Sequence, residues 1–189
     1  MKETLRKHLE KLISLTDDEF NAIFSHFAIE HYKKNDFIFQ NGKPVKNCYF
    51  VLSGLLKLVY HDDLGKEHIV SFSMEDWWES DFYAYFTQTK STMALISLEE
   101  TSVYSLPIEN YKSLCATIPK MENFFLQKSN LGFIGSQQRI LSLLTSNAKE
   151  RYHILLKQHP SLLQRVSKTQ IATYLGVSRE TLSRLHSYK

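Results

Sequence analysis

Lys168-Thr-Gln-Ile-Ala-Thr-Tyr-Leu-Gly-Val-Ser-Arg-Glu-Thr-Leu-Ser-Arg-Leu185 is the stretch of this 189-residue chain whose pattern decides most. Two helices that cross steeply need apolar side chains where they touch, and Ile171, Leu175, Val177, Leu182 and Leu185 fall at those positions. A small residue, Ala172, stands where the backbones approach. The tight turn needs a left-handed conformation, which Gly176 accepts. Ser178 is placed to cap the second helix. Together these constraints predict a helix-turn-helix.

The second helix presents Arg179, Glu180, Thr181, Ser183 and Arg184 outward. An arginine donates two hydrogen bonds to guanine O6 and N7, and a glutamate accepts from cytosine N4. Arg179, Glu180 and Arg184 are therefore the candidate base readers of double-stranded DNA. The plainer alternative is a solvated face with a Glu180–Arg184 pair at i,i+4. Ser167, Lys168, Thr169 and Ser178 suit phosphates, contacts that fix register without reading sequence.

Charge points the same way. The net charge of +3 is uneven: residues 120–189 hold eleven Lys/Arg against Glu122, Glu150 and Glu180, while the preceding 119 residues carry an excess of acid. A basic C-terminal part on an acidic N-terminal part suggests that one end meets a polyanion. No apolar run approaches the ~18 residues needed to cross a bilayer, so no membrane partner is expected. The N-terminus lacks the apolar core of a signal peptide, which makes the cytoplasm the expected location. Cys48 and Cys115 lie in apolar stretches and read as reduced thiols. Two thiols cannot supply the ligands of an iron–sulfur cluster, no Cys/His pair has zinc-finger spacing, and the eight histidines are scattered. Neither a metal nor haem is expected.

Outward from the C-terminal motif, the first half reads as β. Phe37–Phe39, Cys48–Leu52, Leu55–Tyr60, His68–Phe72 and two runs between Thr92 and Leu106 are short, β-rich and separated by Gly, Asn, Asp or Glu. They predict a β-sandwich or jelly roll. A helix precedes it, with Thr16 and Asp17 as caps and Phe20, Ile23, Phe24 and Phe27 at helical spacing. The second half reads as α: a short helix from Pro107, a longer one after Pro119, and another over 148–158 that stops before Pro160. Gly132 and Gly135 are expected to interrupt the longer helix, with Ser136 capping a new one. Its apolar residues Met121, Phe124, Phe125, Leu131 and Ile134 either pack on the chain's own β-domain or pair with the same helix of a second copy.

These features together resemble the Crp/Fnr family, that of the cyclic-AMP receptor protein, over nearly the whole chain. Ser178-Arg-Glu-Thr-Leu-Ser-Arg184 is similar to the family's recognition segment, with its Arg-Glu-x-x-x-Arg readers at Arg179, Glu180 and Arg184. Ala148-Lys-Glu-Arg-Tyr152, Pro160 and Arg165-Val166 resemble a short subgroup in which a helix replaces the β-hairpin before the reading motif. The resemblance implies an α+β fold: a cyclic-nucleotide-binding-like β-roll over 1–118, a dimerisation helix and hinge over 119–135, and a helix-turn-helix domain over 136–189. It implies a homodimer on palindromic TGTGA-like half-sites about one helical turn apart, with RNA polymerase as a further partner. Four residues follow Leu185, so a β-wing with its phosphate contacts is not expected.

The family's roll cradles a cyclic nucleotide with a Gly-Glu pair and an Arg-Ser/Thr-Ala triplet whose arginine meets the cyclic phosphate. Here Glu79 stands on the glutamate, Trp78 replaces the glycine, and the arginine position falls on Ser91, flanked by Lys90 and Thr92. None of these offers a bidentate fork, so cyclic AMP is expected to bind weakly or not at all. Seven aromatics between Phe72 and Phe86 either receive a planar ligand or fill the pocket themselves. An enzyme is excluded by motif: there is no Gly-x-Ser-x-Gly, phosphate loop, HExxH or dinucleotide fingerprint. The remaining rival is a nucleotide- or small-molecule-sensing module acting on a protein partner, which would need no recognition helix.

Overall fold

The computed structural model describes residues 1–187, with side-chain surroundings through Arg184; Leu185's expected place in the packing lies outside the described residues. Helix α1 (Lys2–Leu9) buries Leu5, His8 and Leu9. Helix α2 (Asp17–Phe24) starts at Thr16, whose hydroxyl accepts from the Glu19 amide while the Glu19 carboxylate accepts from the Thr16 amide. That reciprocal cap satisfies two amides that the first turn leaves open.

Eight strands follow: β1 (Ala28–Tyr32), β2 (Phe37–Phe39), β3 (Asn47–Ser53), β4 (Leu56–His61), β5 (Glu67–Ser73), β6 (Trp78–Glu79), β7 (Met93–Ser97) and β8 (Thr101–Pro107). They form two four-stranded sheets, ordered β1-β8-β3-β6 and β2-β7-β4-β5. The long antiparallel β3–β8 pair sets Cys48 opposite Leu106 and Phe50 opposite Tyr104. This is the expected β-roll. Two strands escape the pattern reading, β1 and β6. β6 is only two residues long, and β1 alternates exposed residues with half-buried ones, so neither shows an apolar run. Gly54 turns β3 into β4 with φ +101, and a Cβ there would lie 2.7 Å from the Thr101 backbone, so only glycine fits.

Helices α3 (Phe82–Thr87), α4 (Ile108–Thr117), α5 (Pro119–Thr145), α6 (Ala148–Gln158), α7 (Leu162–Arg165), α8 (Lys168–Leu175) and α9 (Arg179–Ser187) complete the fold. Helix α5 runs unbroken through Gly132 and Gly135, so the expected interruption and the Ser136 cap do not form. A helical glycine costs about 1 kcal/mol against alanine but keeps its amide hydrogen bond, and the strong helix formers on both sides carry the helix through.

The chain divides into two compact units, one of Met1–Leu58 with Phe72–Asn130, the other of Val59–Ser71 with the chain from Leu131 onward. In the first, Phe50, Val51, Leu56, Val103 and Leu106 form the roll interior, joined by Met121, Phe124 and Phe125 from α5. His8 lies among these aromatics, its ring 4.6 Å from Phe50 and 5.7 Å from Phe124. Its Nε2 accepts from the Trp78 indole at 3.0 Å. An indole N–H only donates, so Nδ1 carries the proton and donates to Asp76 at 2.7 Å. Burial, reinforced by Lys128, pushes this imidazole down to about 4. In the second unit α6 packs against α8 and α9 around Tyr152, Leu155, Leu162, Ile171, Leu175 and Leu182.

Candidate nucleic-acid interface

Helix α8 begins at Ser167, whose hydroxyl accepts from the Gln170 amide at 3.2 Å while the Gln170 side chain returns to the Ser167 amide. It ends at Gly176 in the left-handed conformation (φ 68°, ψ 36°), with the Val177 amide closing back on Ala172. Ser178 caps α9 through its hydroxyl, which accepts from the Thr181 amide at 3.1 Å. Ile171, Ala172, Leu175 and Leu182 are all buried where the two helices meet. The spacing of apolar and small residues thus folds as the sequence pattern requires.

The candidate readers stand outside this core. Arg179, Glu180 and Arg184 are exposed on α9. The Glu180 carboxyl is held below its usual range by its own backbone amide, by the Ser178 hydroxyl and by the two arginines, so it stays an ionised acceptor. Lys168 and Thr169 are exposed on the first turn of α8. Ser167 and Ser178 are exposed too, but their hydroxyls already serve as helix caps.

Two arginines, Arg139 and the Arg151 of the Ala148–Tyr152 stretch, to which the sequence assigned no contact, brace the motif from behind. Arg139 of α5 donates to the Tyr174 carbonyl at 3.0 Å and its guanidinium lies 3.7 Å from the centroid of the Tyr174 ring. Arg151 of α6 donates to the Leu175 carbonyl at 3.1 Å and to the Ser146 carbonyl at 2.6 Å. No sequence signal marks such residues, because their partners are backbone carbonyls that every residue carries.

The roll segment is built differently. Glu79 is buried and accepts from Ser73 Oγ at 2.5 Å and from the Ser80 amide at 3.0 Å. Trp78 joins the aromatic cluster around Phe50, Phe124 and Phe125. Ser91 is buried and donates to Asp81 at 2.6 Å; the other Asp81 oxygen accepts from the Ala84 amide at 3.0 Å. Lys90 and Thr92 are exposed, and Lys90 forms an isolated bridge with Pro44. The segment from Trp78 to Thr92 contains no arginine, and a buried carboxylate stands beside the serine at the expected phosphate position. These residues do not fit a cyclic phosphate. The two readings of the aromatics divide: Phe72 and Tyr85 are buried and Trp78 is half-buried against the core, while Trp77, Phe82, Tyr83 and Phe86 are exposed.

The α5 residues divide as well. Met121, Phe124 and Phe125 pack into the core of their own unit, whereas Leu131 and Ile134 are more than half exposed. Leu126, Phe133 and Ile140, seven residues apart, are exposed beside them, with Leu144 one turn beyond Ile140. That heptad spacing is visible in the sequence once the helix is known to be continuous.

Comparison with known proteins agrees with this architecture. Residues 29–118 match the cyclic nucleotide-binding domain family. The chain is 27% identical over 166 residues to the transcriptional activator protein Anr of Pseudomonas aeruginosa, a match covering 81% of this chain and 66% of that protein. The chain thus spans just under two thirds of that relative's length. It is 20% identical to the cAMP-activated global transcriptional regulator CRP of Haemophilus influenzae, over 89% of this chain and 80% of that one. Its fold matches that of FixK2 from Bradyrhizobium japonicum with a TM-score of 0.74 and 19% identity, over 85% of this chain and 83% of the other. Among the described residues no helix is long and apolar enough to cross a membrane. A β-roll, a long helix and a helix-turn-helix in this order, with these relatives, make the chain similar to regulators of the Crp/Fnr kind.

Proposed function

We propose that this protein is a cytoplasmic, sequence-specific DNA-binding transcription regulator, a homodimer that reads a palindromic TGTGA-like site without cyclic AMP. The observation that carries the reading is the α9 face: Arg179, Glu180 and Arg184 exposed together on a helix whose opposite side is anchored by Leu182. Two arginines suit guanines, and an ionised glutamate between them suits a cytosine amino group. Lys168 and Thr169 then meet phosphates. Dimerisation is supported by the exposed row Leu126, Phe133 and Ile140, whose seven-residue period is that of a coiled-coil seam, with Leu144 exposed four residues further on. RNA polymerase is the partner expected of a DNA-bound regulator in this family.

Independence from cyclic AMP is supported by the roll segment. An anionic phosphate there would meet the Asp81 carboxylate instead of a guanidinium, and like charges at such range repel strongly when little water intervenes. The test is fluorescence anisotropy on a TGTGA-N6-TCACA duplex and on one lacking the guanines, each with and without millimolar cyclic AMP. Tight binding to the first, lost on the second and unmoved by cyclic AMP, is the expected result. Equal weak binding to both would defeat the base-reading assignment, and a saturable gain with cyclic AMP would defeat the independence.

A further inference from the structure

The last turn of α8 leaves carbonyls without helical partners and concentrates the negative end of the helix dipole. Here two cations from different helices take those carbonyls: Arg139 holds Tyr174 and Arg151 holds Leu175. Arg139 does more than cap. Its planar group lies against the Tyr174 ring, and the same nitrogen that donates to Tyr174 lies 3.4 Å from the Ile69 carbonyl of β5. One side chain of α5 thereby touches a strand of the β4–β5 hairpin and the first helix of the reading motif. Burial lowers the guanidinium's pKa, yet its hydrogen bonds go to carbonyls and not to a carboxylate. A half-buried cation held this way is sensitive to geometry, because dipoles lose their hold with distance and angle faster than a full counter-charge does.

Tyr174 lies two residues before the Gly176 turn, and α9 leaves from that turn. Recognition side chains must be held within roughly 0.5 Å and 10–20° of their productive geometry. Whatever fixes the last turn of α8 therefore fixes the pitch at which Arg179, Glu180 and Arg184 are offered. We propose that Arg139 is a positioning residue of the DNA reader, setting the pitch of α8 and α9 and tying it to strand β5. The proposal rests on the DNA-reading assignment, with Arg139 itself touching no base or phosphate.

The experiment uses the full chain as wild type, Arg139→Met and Arg139→Lys. Methionine keeps the length and removes the donors; lysine keeps the charge but has neither the fork nor the flat face. In hydrogen–deuterium exchange, Arg139→Met is expected to speed exchange at least tenfold in two separate places, the end of α8 with its turn and strand β5, while β3 and β8 stay as in wild type. On the TGTGA-type duplex its affinity is expected to fall at least tenfold. On the guanine-free duplex it changes less than twofold, and the salt slope is unmoved because no phosphate contact is lost. Arg139→Lys should fall between.

Exchange that rises in α8 alone, or evenly everywhere, would overturn the tie to β5. Equal loss on both duplexes would overturn the positioning role. If the wild type itself fails to discriminate the duplexes, the DNA reading has failed, and the exchange pattern still decides whether Arg139 joins β5 to α8.

Discussion

The roll segment Glu79–Ser91 and the face of α9 carry much the same chemistry, carboxylates, hydroxyls and amides within a dozen residues, and they use it in opposite ways. In the roll, Glu79 and Asp81 are buried and saturated by Ser73, Ser80, Ser91 and the Ala84 amide. On α9, Leu182 is the buried residue among those described, and Arg179, Glu180 and Arg184 face solvent. Polar groups satisfied within the chain stabilise it and have little left for a ligand; polar groups left in water cost nothing to keep and are available to a partner. One chain therefore carries a closed polar segment and an open polar face.

The sharpest way to break this contrast is to delete a large side chain from the closed region. Phe124→Ala removes a ring buried against His8, Trp78 and Phe125 and should cost about 3–5 kcal/mol in denaturant unfolding. A loss below 1 kcal/mol would show that the region is not tightly packed. On the open side, Arg184→Ala should leave stability within about 0.5 kcal/mol while weakening binding to the TGTGA-type duplex by about 1–3 kcal/mol and relaxing one base position. A variant with lowered stability and unchanged discrimination would reverse the comparison.

The pH dependence of stability sharpens it further. His8 titrates near 4 in the folded chain and near 6.5 when unfolded. Between those values the unfolded chain takes up a proton that the folded chain refuses, so stability falls as pH drops from about 6.5 to about 4 and levels off below. The groups facing the imidazole are Asp76, Lys11 and Lys128. Melting temperature measured against pH should show this slope in the wild type and a flatter one in His8→Gln. An unchanged slope would place the titrating group elsewhere.

How far the sequence carried can be judged at particular residues. Gly176, Ser178 and the apolar row from Ile171 to Leu182 announced the helix-turn-helix because each meets a local backbone requirement. Thr16 with Glu19 marked its helix for the same reason. Beyond local reach the text of the chain is weaker. Gly132 and Gly135 look like breaks although the helix passes through them, since propensity is a bias of about 1 kcal/mol and the rest of the helix outweighs it. The division of α5 into an inward Phe124 and an outward Phe133 depends on what lies beside each turn, which composition does not encode. Arg139 was invisible because its partners are carbonyls 35 and 70 residues away. Ser91 read as a substitution for an expected arginine; that Asp81 would fill its hydrogen bond depends on the turn of α3.

The indole of Trp78, donating to a neutral imidazole inside the first unit, makes that unit optically distinct. The chain has two tryptophans, Trp77 and Trp78, both in that unit, and from Leu131 onward it has none. Intrinsic tryptophan emission therefore reports on the roll and is blind to the helix-turn-helix. In a Trp77→Phe protein a single emitter remains, set between His8 and the aromatic end of α5. Emission and far-ultraviolet ellipticity followed together would then tell whether the two units melt as one cooperative body or in succession, with no label attached.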